Sequence, residues 1–146
     1  VLYGSISFFI EDFYENEERQ VLRTRAVLVR SFLEDAVLSG DFKSVDELSK
    51  KLGRQTGTRV TIIDPQGKVM GESEQSPQTM ENHLTRPEIQ QALRGRTGFN
   101  IRPSATLEQR MMYVAIPIEH NGQIAAVVRT ATAISQVDAR KSSQPS

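Results

Sequence analysis

The chain has 146 residues, 38% of them hydrophobic and 25% charged, with 18 Lys plus Arg against 18 Asp plus Glu. That length and composition fit one globular domain able to bury a core, and a formal charge of zero gives no general argument for nucleic acid or an anionic membrane surface as partner. The absence of cysteine excludes disulfide frameworks, thiolate metal sites and thiol nucleophiles.

The chain begins at Val1 without a methionine, so a piece of a longer protein is expected. Val1 to Ile10 (VLYGSISFFI) is mostly apolar and uncharged. It is shorter than the ~20 residues that cross a bilayer, and it lacks the basic start of a secretory signal. Two readings stand: the outer end of a transmembrane helix, favoured by the switch to charge at Glu11 and Asp12, or the buried start of the first helix. The acidic run from Glu11 to Glu18 either solvates the helix start, where it complements the dipole, or holds divalent cations near a membrane.

From Glu11 to Ser39 the pattern is helical. Leu22, Ala26, Val29, Leu33 and Ala36 form one apolar stripe. Val21, Leu28 and Phe32 form a second, which is either contact with a dimer mate or the margin of one wide face. Gly40 and Asp41 end the helix. Ser44 and Glu47 have the spacing of a capping box, and Val45, Leu48 and Leu52 then share one face of a short helix. Arg59 to Asp64 is rich in β-branched residues and reads as a strand. Asp64-Pro65-Gln66-Gly67 is turn chemistry, and Lys68 to Glu72 returns as a second strand. Glu72 to Gln78 reads as a loop. Thr85 and Glu88 suggest another capping box, with Pro87 in the first turn and Ile89, Ala92 and Leu93 on the buried face.

Thr97 to Arg102 is a third strand. Met111 to Ile118 is a nearly continuous apolar run, expected of a central strand covered on both faces, with Pro117 near its end. Asn121-Gly122 is the strongest short hairpin signal, and Ile124 to Ala131 is the fifth strand. After Ile134 a further helical turn is expected, then a frayed polar end. The whole predicts an α+β fold: a central antiparallel sheet of about five strands, a long N-terminal helix and shorter helices packed on one face. Three stretches are expected: a long juxtamembrane helix at 1–41, a sensor core at 42–135, and a tail at 136–146 leading toward a second membrane helix.

RVTIIDPQGKVMGES, then MENHLTRPEIQQALRG, then the strand from Met111 to Pro117 and the strand Ala126-Val127-Val128-Arg129 resemble the extracytoplasmic sensor domain of bacterial membrane histidine kinases of the PhoR type. The resemblance covers about Phe32 to Ser135. It implies a PAS-like fold of the single-Cache or PhoQ-DcuS-CitA type. It also implies flanking membrane helices and a cytoplasmic kinase in the parent protein, whose subject would be phosphate or the cell envelope. Arg140 to Ser146 departs from it, being too polar to enter a membrane. The stimulus does not transfer, because such domains differ in ligand.

No nucleophile elbow, Walker A loop or dinucleotide fingerprint is present. Gly95-Arg96-Thr97-Gly98 reads as a turn, and no catalytic residue is assigned. His120 precedes a hairpin tip and is expected in solvent. His83, just before a helix, either makes a local hydrogen bond or donates into a pocket. Two distant histidines without cysteine do not suggest a metal, haem or flavin site, and no cofactor is expected. A small-molecule pocket in such a fold would lie between the sheet and the helix-bearing loop. Its candidates are His83, Arg86, Arg102, Arg110, Tyr113 and Arg129, since guanidinium groups suit carboxylate or phosphate. Each arginine has an alternative as a structural ion pair, and Tyr113 as core. Arg129, amid Val127, Val128 and Ala131, needs a solvent face or a partner.

The function expected is signal sensing in a two-component system, with a homodimer formed through the N-terminal helix. The ligand would be a small molecule or an envelope protein. The alternatives are a chemoreceptor sensor or a protein-binding module without a small ligand. A cytoplasmic PAS domain holding haem or flavin is a more remote one.

Overall fold

The computed structural model describes residues 2–103 and 109–134. Val1, the expected helical turn after Ile134 and the tail at 136–146 lie outside the described residues. The elements run α1 (Leu2–Ser39), α2 (Phe42–Thr56), β1 (Arg59–Ile63), β2 (Val69–Glu72), a 3-10 turn (Pro77–Thr79), α3 (Pro87–Leu93), β3 (Gly98–Pro103), β4 (Arg110–His120) and β5 (Gln123–Ile134). All five strands form one antiparallel sheet in the order β2-β1-β5-β4-β3. β5 is therefore its middle strand, and β4 is paired on both sides.

Alternation along the strands sorts the side chains onto two faces. Val60 and Ile62 of β1, Ile116 and Ile118 of β4, and Ala126 and Val128 of β5 point one way. They pack with Ala26, Val29 and Leu33 of α1 and with Val45 and Leu52 of α2. Ile63, Val69, Ala115 and Val127 point the other way and pack with Ile89 and Ala92 of α3. The helices thus cover both faces, not one. α3 is the exception because the chain crosses from β2, at one edge of the sheet, to β3 at the other, and passes over the front.

The long helix is held by the stripe expected of it: Leu22, Ala26, Val29 and Leu33 are fully buried. A buried polar contact helps fix its register, where Thr130 Oγ1 donates to the Leu22 carbonyl at 2.8 Å. The other apolar side of α1 is open: Val21, Leu28 and Phe32 are exposed, and so are Ile10 and Phe13. Among the described residues no helix is long and apolar enough to cross a membrane.

Both capping boxes are replaced by other arrangements. α2 starts at Phe42, earlier than Ser44 would set it, because Asp41 is its cap, accepting from Ser44 N at 3.2 Å and Ser44 Oγ at 2.7 Å. Gly40, at φ +76°, turns the chain so tightly that the cap must follow at once. α3 starts at Pro87 with no side-chain cap, since Glu88 turns inward. The Asn121-Gly122 turn has both residues at positive φ, 52° and 76°, as a two-residue hairpin requires. Pro117 sits within β4 without penalty. β3 begins opposite Ala115, so no strand lies beside Pro117 on that side, and Arg30 Nη1 donates to its carbonyl at 3.0 Å.

α3 lies directly on the sheet at Gly98, where a Cβ would collide with the Glu88 backbone. Gly98→Ala should therefore lift α3 and destabilise the fold by about 1–3 kcal/mol. The midpoint of urea unfolding measures this.

Candidate functional site

The strand registers set one row of side chains across the front of the sheet. Glu72 on β2 pairs with Thr61 on β1, Thr61 with Arg129 on β5, and Arg129 with Ala115 on β4. Ala115 pairs with Gly98 on β3. The row is thus polar on one side and small on the other. α3 fills the small side and brings Glu88 down beside Arg129.

Glu88 is fully buried. Arg102 grips it in a fork, Nη1 to Oε1 at 2.7 Å and Nη2 to Oε2 at 3.0 Å. Arg129 Nη1 adds a third bond, to Oε2 at 3.1 Å. Tyr113 stands between the two guanidinium groups, its ring centroid 3.8 Å from Arg102 Cζ and 4.7 Å from Arg129 Cζ. On the other side Arg129 Nη2 donates to Thr61 Oγ1 at 3.2 Å, and Thr61 Oγ1 donates to Glu72 Oε2 at 2.6 Å. Arg59 Nε completes the chain with a bond to Glu72 Oε1 at 2.9 Å.

The charges in this network do not cancel. Three guanidinium groups (Arg59, Arg102 and Arg129) face two buried carboxylates, Glu72 and Glu88, leaving one positive charge over. Glu74 lies 3.8 Å from Arg59, but at the exposed rim. Arg129 Nε is the one buried side-chain polar atom without a hydrogen-bond partner among the described residues. Above this floor opens a cleft of about 560 Å³, walled by Arg59, Tyr113, Arg102 and the 75–86 segment. That segment is tied to the β1–β2 turn: His83 N donates to the Gly67 carbonyl at 2.8 Å, and Asn82 Nδ2 donates to the Gln66 carbonyl at 3.0 Å.

Burial alone would push the Glu88 carboxyl up. The hydrogen bonds from Arg102 and the charge of Arg129 outweigh it and hold the group below the ordinary carboxylate range. His83 is forced the other way from a typical surface histidine. Burial, then the Arg129 charge, lowers its pKa from 6.5 to about 4. It is neutral near pH 7. Its Nδ1 faces the Glu81 carbonyl at 2.8 Å, so Nδ1 carries the proton and Nε2 remains an acceptor.

Five of the six residues singled out in the sequence line this cleft: His83, Arg86, Arg102, Tyr113 and Arg129. Arg86 stands at the rim, paired with exposed Glu81 at 2.8 Å. Tyr113 faces the cleft rather than the helix-side core. Arg110 belongs elsewhere, because its strand position points to the opposite face, where it pairs with Glu15 of α1 at 3.1 Å. His120 is exposed, as expected. Sequence reasoning missed Glu72, Glu88, Arg59 and Thr61. The alternation in RVTII carried a signal for two of them: Arg59 and Thr61 share a face that Val60 and Ile62 do not.

Residues 45–132 match the family described as the Cache domain of the WalK sensor protein kinase. The chain belongs to the WalK Cache family. A search of curated proteins finds no match. Among solved structures, the ligand-binding domain of the Campylobacter jejuni chemoreceptor Tlp3, in complex with 4-methylisoleucine, superposes with a TM-score of 0.63 at 16% identity, over 97% of this chain and 58% of that one. The Vibrio cholerae histidine kinase DctB sensor domain gives 0.58 at 16% identity, over 99% and 62%. The Escherichia coli DcuS sensor domain gives 0.53 at 14% identity, over 85% and 96%. These likenesses carry the fold, and the chain spans about three-fifths of the Tlp3 and DctB domains. The match is to the WalK type, and a PhoR-specific identity receives no support from it.

Two acid effects should separate in this Cache domain. The His83 pKa is depressed on folding, so its contribution is complete above pH 6.5 and is lost as pH falls toward about 4; the shift corresponds to roughly 3 kcal/mol. His83→Gln should flatten the stability curve in that window while leaving the steeper loss below it, where Glu88 is protonated. Arg129, Arg86, Glu72 and Glu81 are the charged groups facing the imidazole. Glu88→Gln leaves two guanidinium groups without their counter-charge and should cost about 3 kcal/mol or more. Denaturant unfolding from pH 3 to 8 measures both.

Proposed function

We propose that this Cache domain is the extracytoplasmic sensor of a membrane-anchored two-component histidine kinase, and that its cleft takes a small anionic ligand. The observation that carries the ligand reading is the sharing of one carboxylate, Glu88, by Arg102 and Arg129 beneath an open cleft. A carboxylate or phosphate group entering there meets one uncompensated positive charge, the Arg102 edge and the Arg86 guanidinium, while the His83 Nε2 can accept only from an O–H or N–H elsewhere on the ligand. Orthophosphate is one such anion. A chemoreceptor is the second reading, supported by the likeness to the Tlp3 domain, and only the output segment of the parent protein distinguishes the two.

The signal path follows from the layout. Arg129, on the front of β5, is the immediate neighbour of Thr130, which holds the Leu22 carbonyl of α1 on the back. A ligand that draws Arg129 away from Glu88 biases the seat of α1 between two arrangements. The exposed apolar side of α1, with Val21, Leu28 and Phe32, is where a second copy would pair.

A thermal-shift panel of orthophosphate, sugar phosphates, dicarboxylates, amino acids, cell-wall fragments and divalent cations tests the ligand reading. An anion that binds the folded state alone adds about 2.7 kcal/mol at one hundred times its dissociation constant. Arg86→Gln should weaken that shift while leaving basal stability nearly unchanged, since an exposed pair contributes under about 1 kcal/mol. A flat panel overturns the small-ligand reading in favour of a protein partner. For the pairing of helices, sedimentation of Phe32→Glu beside the parent chain should show a dimer lost; a parent chain that stays monomeric at high concentration rejects the contact.

A further inference from the structure

A second concavity, which shares no lining residue with the cleft, lies at the β4 edge of the sheet, along the seam between α1, β4 and the turn that leads into β3. Its volume is about 460 Å³, and its lining is polar. Arg23, Arg30 and Glu34 line one wall at spacings of seven and four residues, which places them on one side of α1. Arg96 reaches in from the turn, and Pro117 and Glu119 of β4 complete it.

The charged groups here differ from those that the fold neutralises in pairs. Glu72, Glu88, Asp46, Glu81 and Glu15 are all ion-paired elsewhere. Among the described residues no ion pair includes Arg23, Arg30, Arg96, Glu34 or Glu119. Arg30 is half-buried and spends one Nη1 proton on the Pro117 carbonyl at 3.0 Å, which aims its guanidinium into the groove. The groove is also polarised. α1 and β4 run in the same direction past each other, Glu15 meeting Arg110 and Arg30 meeting Pro117. Arg23 and Arg30 therefore lie toward one end of the α1 wall, and Glu34 lies at the other, level with Glu119; Arg96 enters across from them, next to Gly95, which sits beside the Glu119 carboxylate. Arg30 and Glu34 are one turn apart, about 6 Å along the axis.

From this arrangement we infer a second binding site, independent of the cleft, for a small zwitterion that presents an oxyanion to Arg23, Arg30 and Arg96 and an ammonium group to Glu34 and Glu119. Three guanidinium groups provide forked donors for phosphate or carboxylate oxygens. The two carboxylates repel a polyanion that runs the length of the groove, and they favour a ligand that ends in a cation. A phosphoethanolamine group has both parts, whether free or as a lipid headgroup.

The test is two-dimensional NMR of the 15N-labelled chain at fixed ionic strength, titrated separately with inorganic phosphate, O-phosphoethanolamine and ethylamine. O-Phosphoethanolamine should move the signals of Arg23, Arg30 and Arg96 and bind at least fivefold more tightly than phosphate at the same residues. Arg23→Gln and Arg96→Gln, both at exposed positions, should each weaken it at least fivefold. Glu119→Gln should remove the preference over phosphate while phosphate binding persists. Vesicles of phosphatidylethanolamine that broaden the same signals would support a headgroup as the source, and binding by the soluble compound alone would support a free metabolite. The proposal is overturned by no response, by shifts confined to cleft residues such as His83 and Arg86, by shifts scattered over every exposed arginine, or by equal affinity for phosphate and O-phosphoethanolamine.

Discussion

The front half of this domain depends on one buried carboxylate. Glu88 comes from a helix only seven residues long, too short to hold itself in place by its own hydrogen bonds. What holds it is the pair of arginines beneath it, one on β3 and one on β5. Taking a carboxylate and two guanidinium groups out of water is costly unless the geometry is good and the remaining protons are satisfied. The fork from Arg102 meets that condition and Arg129 does not quite, since its Nε has no partner. The small residues Ala115 and Gly98 are what let the carboxylate come so close. With larger side chains at either place α3 would ride higher, and both arginines would lose their counter-charge.

The two faces of the sheet are built on different physics. The back is apolar, with β4 and β5 contributing Ile116, Ile118, Ala126 and Val128 against α1 and α2, and it is stabilised by area removed from water. The front has a smaller apolar cluster under α3 and, beside it, a chain of charges from Arg59 to Arg102, directional and short of one anion. β5 belongs to both, because its alternate residues face opposite sides. A change in charge at the front therefore acts on a strand whose back is clamped to the long helix, and the polar bond from Thr130 to the Leu22 carbonyl lies next to the charged one from Arg129 to Glu88. In a close-packed interior such neighbours do not shift independently.

Much of this was legible in the sequence where one local rule governs. The core stripe of α1, the Asn121-Gly122 hairpin and the five strands follow from periodicity and turn chemistry. So did the suspicion attached to Arg129, a charge amid valines. Errors arose where two local rules competed or where a distant residue decided. Asp41 and Ser44 are both good caps, and the Gly40 turn chose between them. Glu88 had the spacing of a capping box, yet two arginines 14 and 41 residues away attracted it more strongly than an exposed amide. Arg110 differs from Arg102 only in which face its strand position selects, and that is fixed by the register with β3 and β5. Helices on both faces could not be read from element order, since it does not say which side of the sheet the β2–β3 connection takes.

The sheet's two outer edges bear on where a partner can attach. An open strand edge is a template for another strand, and each edge here has a backbone group taken by a side chain. On β2, Glu72 N donates to Asp46 Oδ1 at 3.1 Å, and Lys50 Nζ donates to the Glu72 carbonyl at 2.9 Å. On β3, Phe99 N donates to Gln91 Oε1 at 2.7 Å, and Pro103 has no amide proton to offer. Strand addition is thus hindered at these positions. The large apolar residues left in solvent gather instead on α1, where Phe9, Phe13 and Phe32 are 80%, 66% and 62% exposed. Phe9 and Phe13 lie on the side of the helix opposite Leu22, Ala26 and Leu33, and Phe32 flanks that buried stripe by about a quarter-turn. An apolar surface of that kind, on an element clamped to the sensing sheet along its other face, places any association through α1 in mechanical series with the cleft rather than beside it.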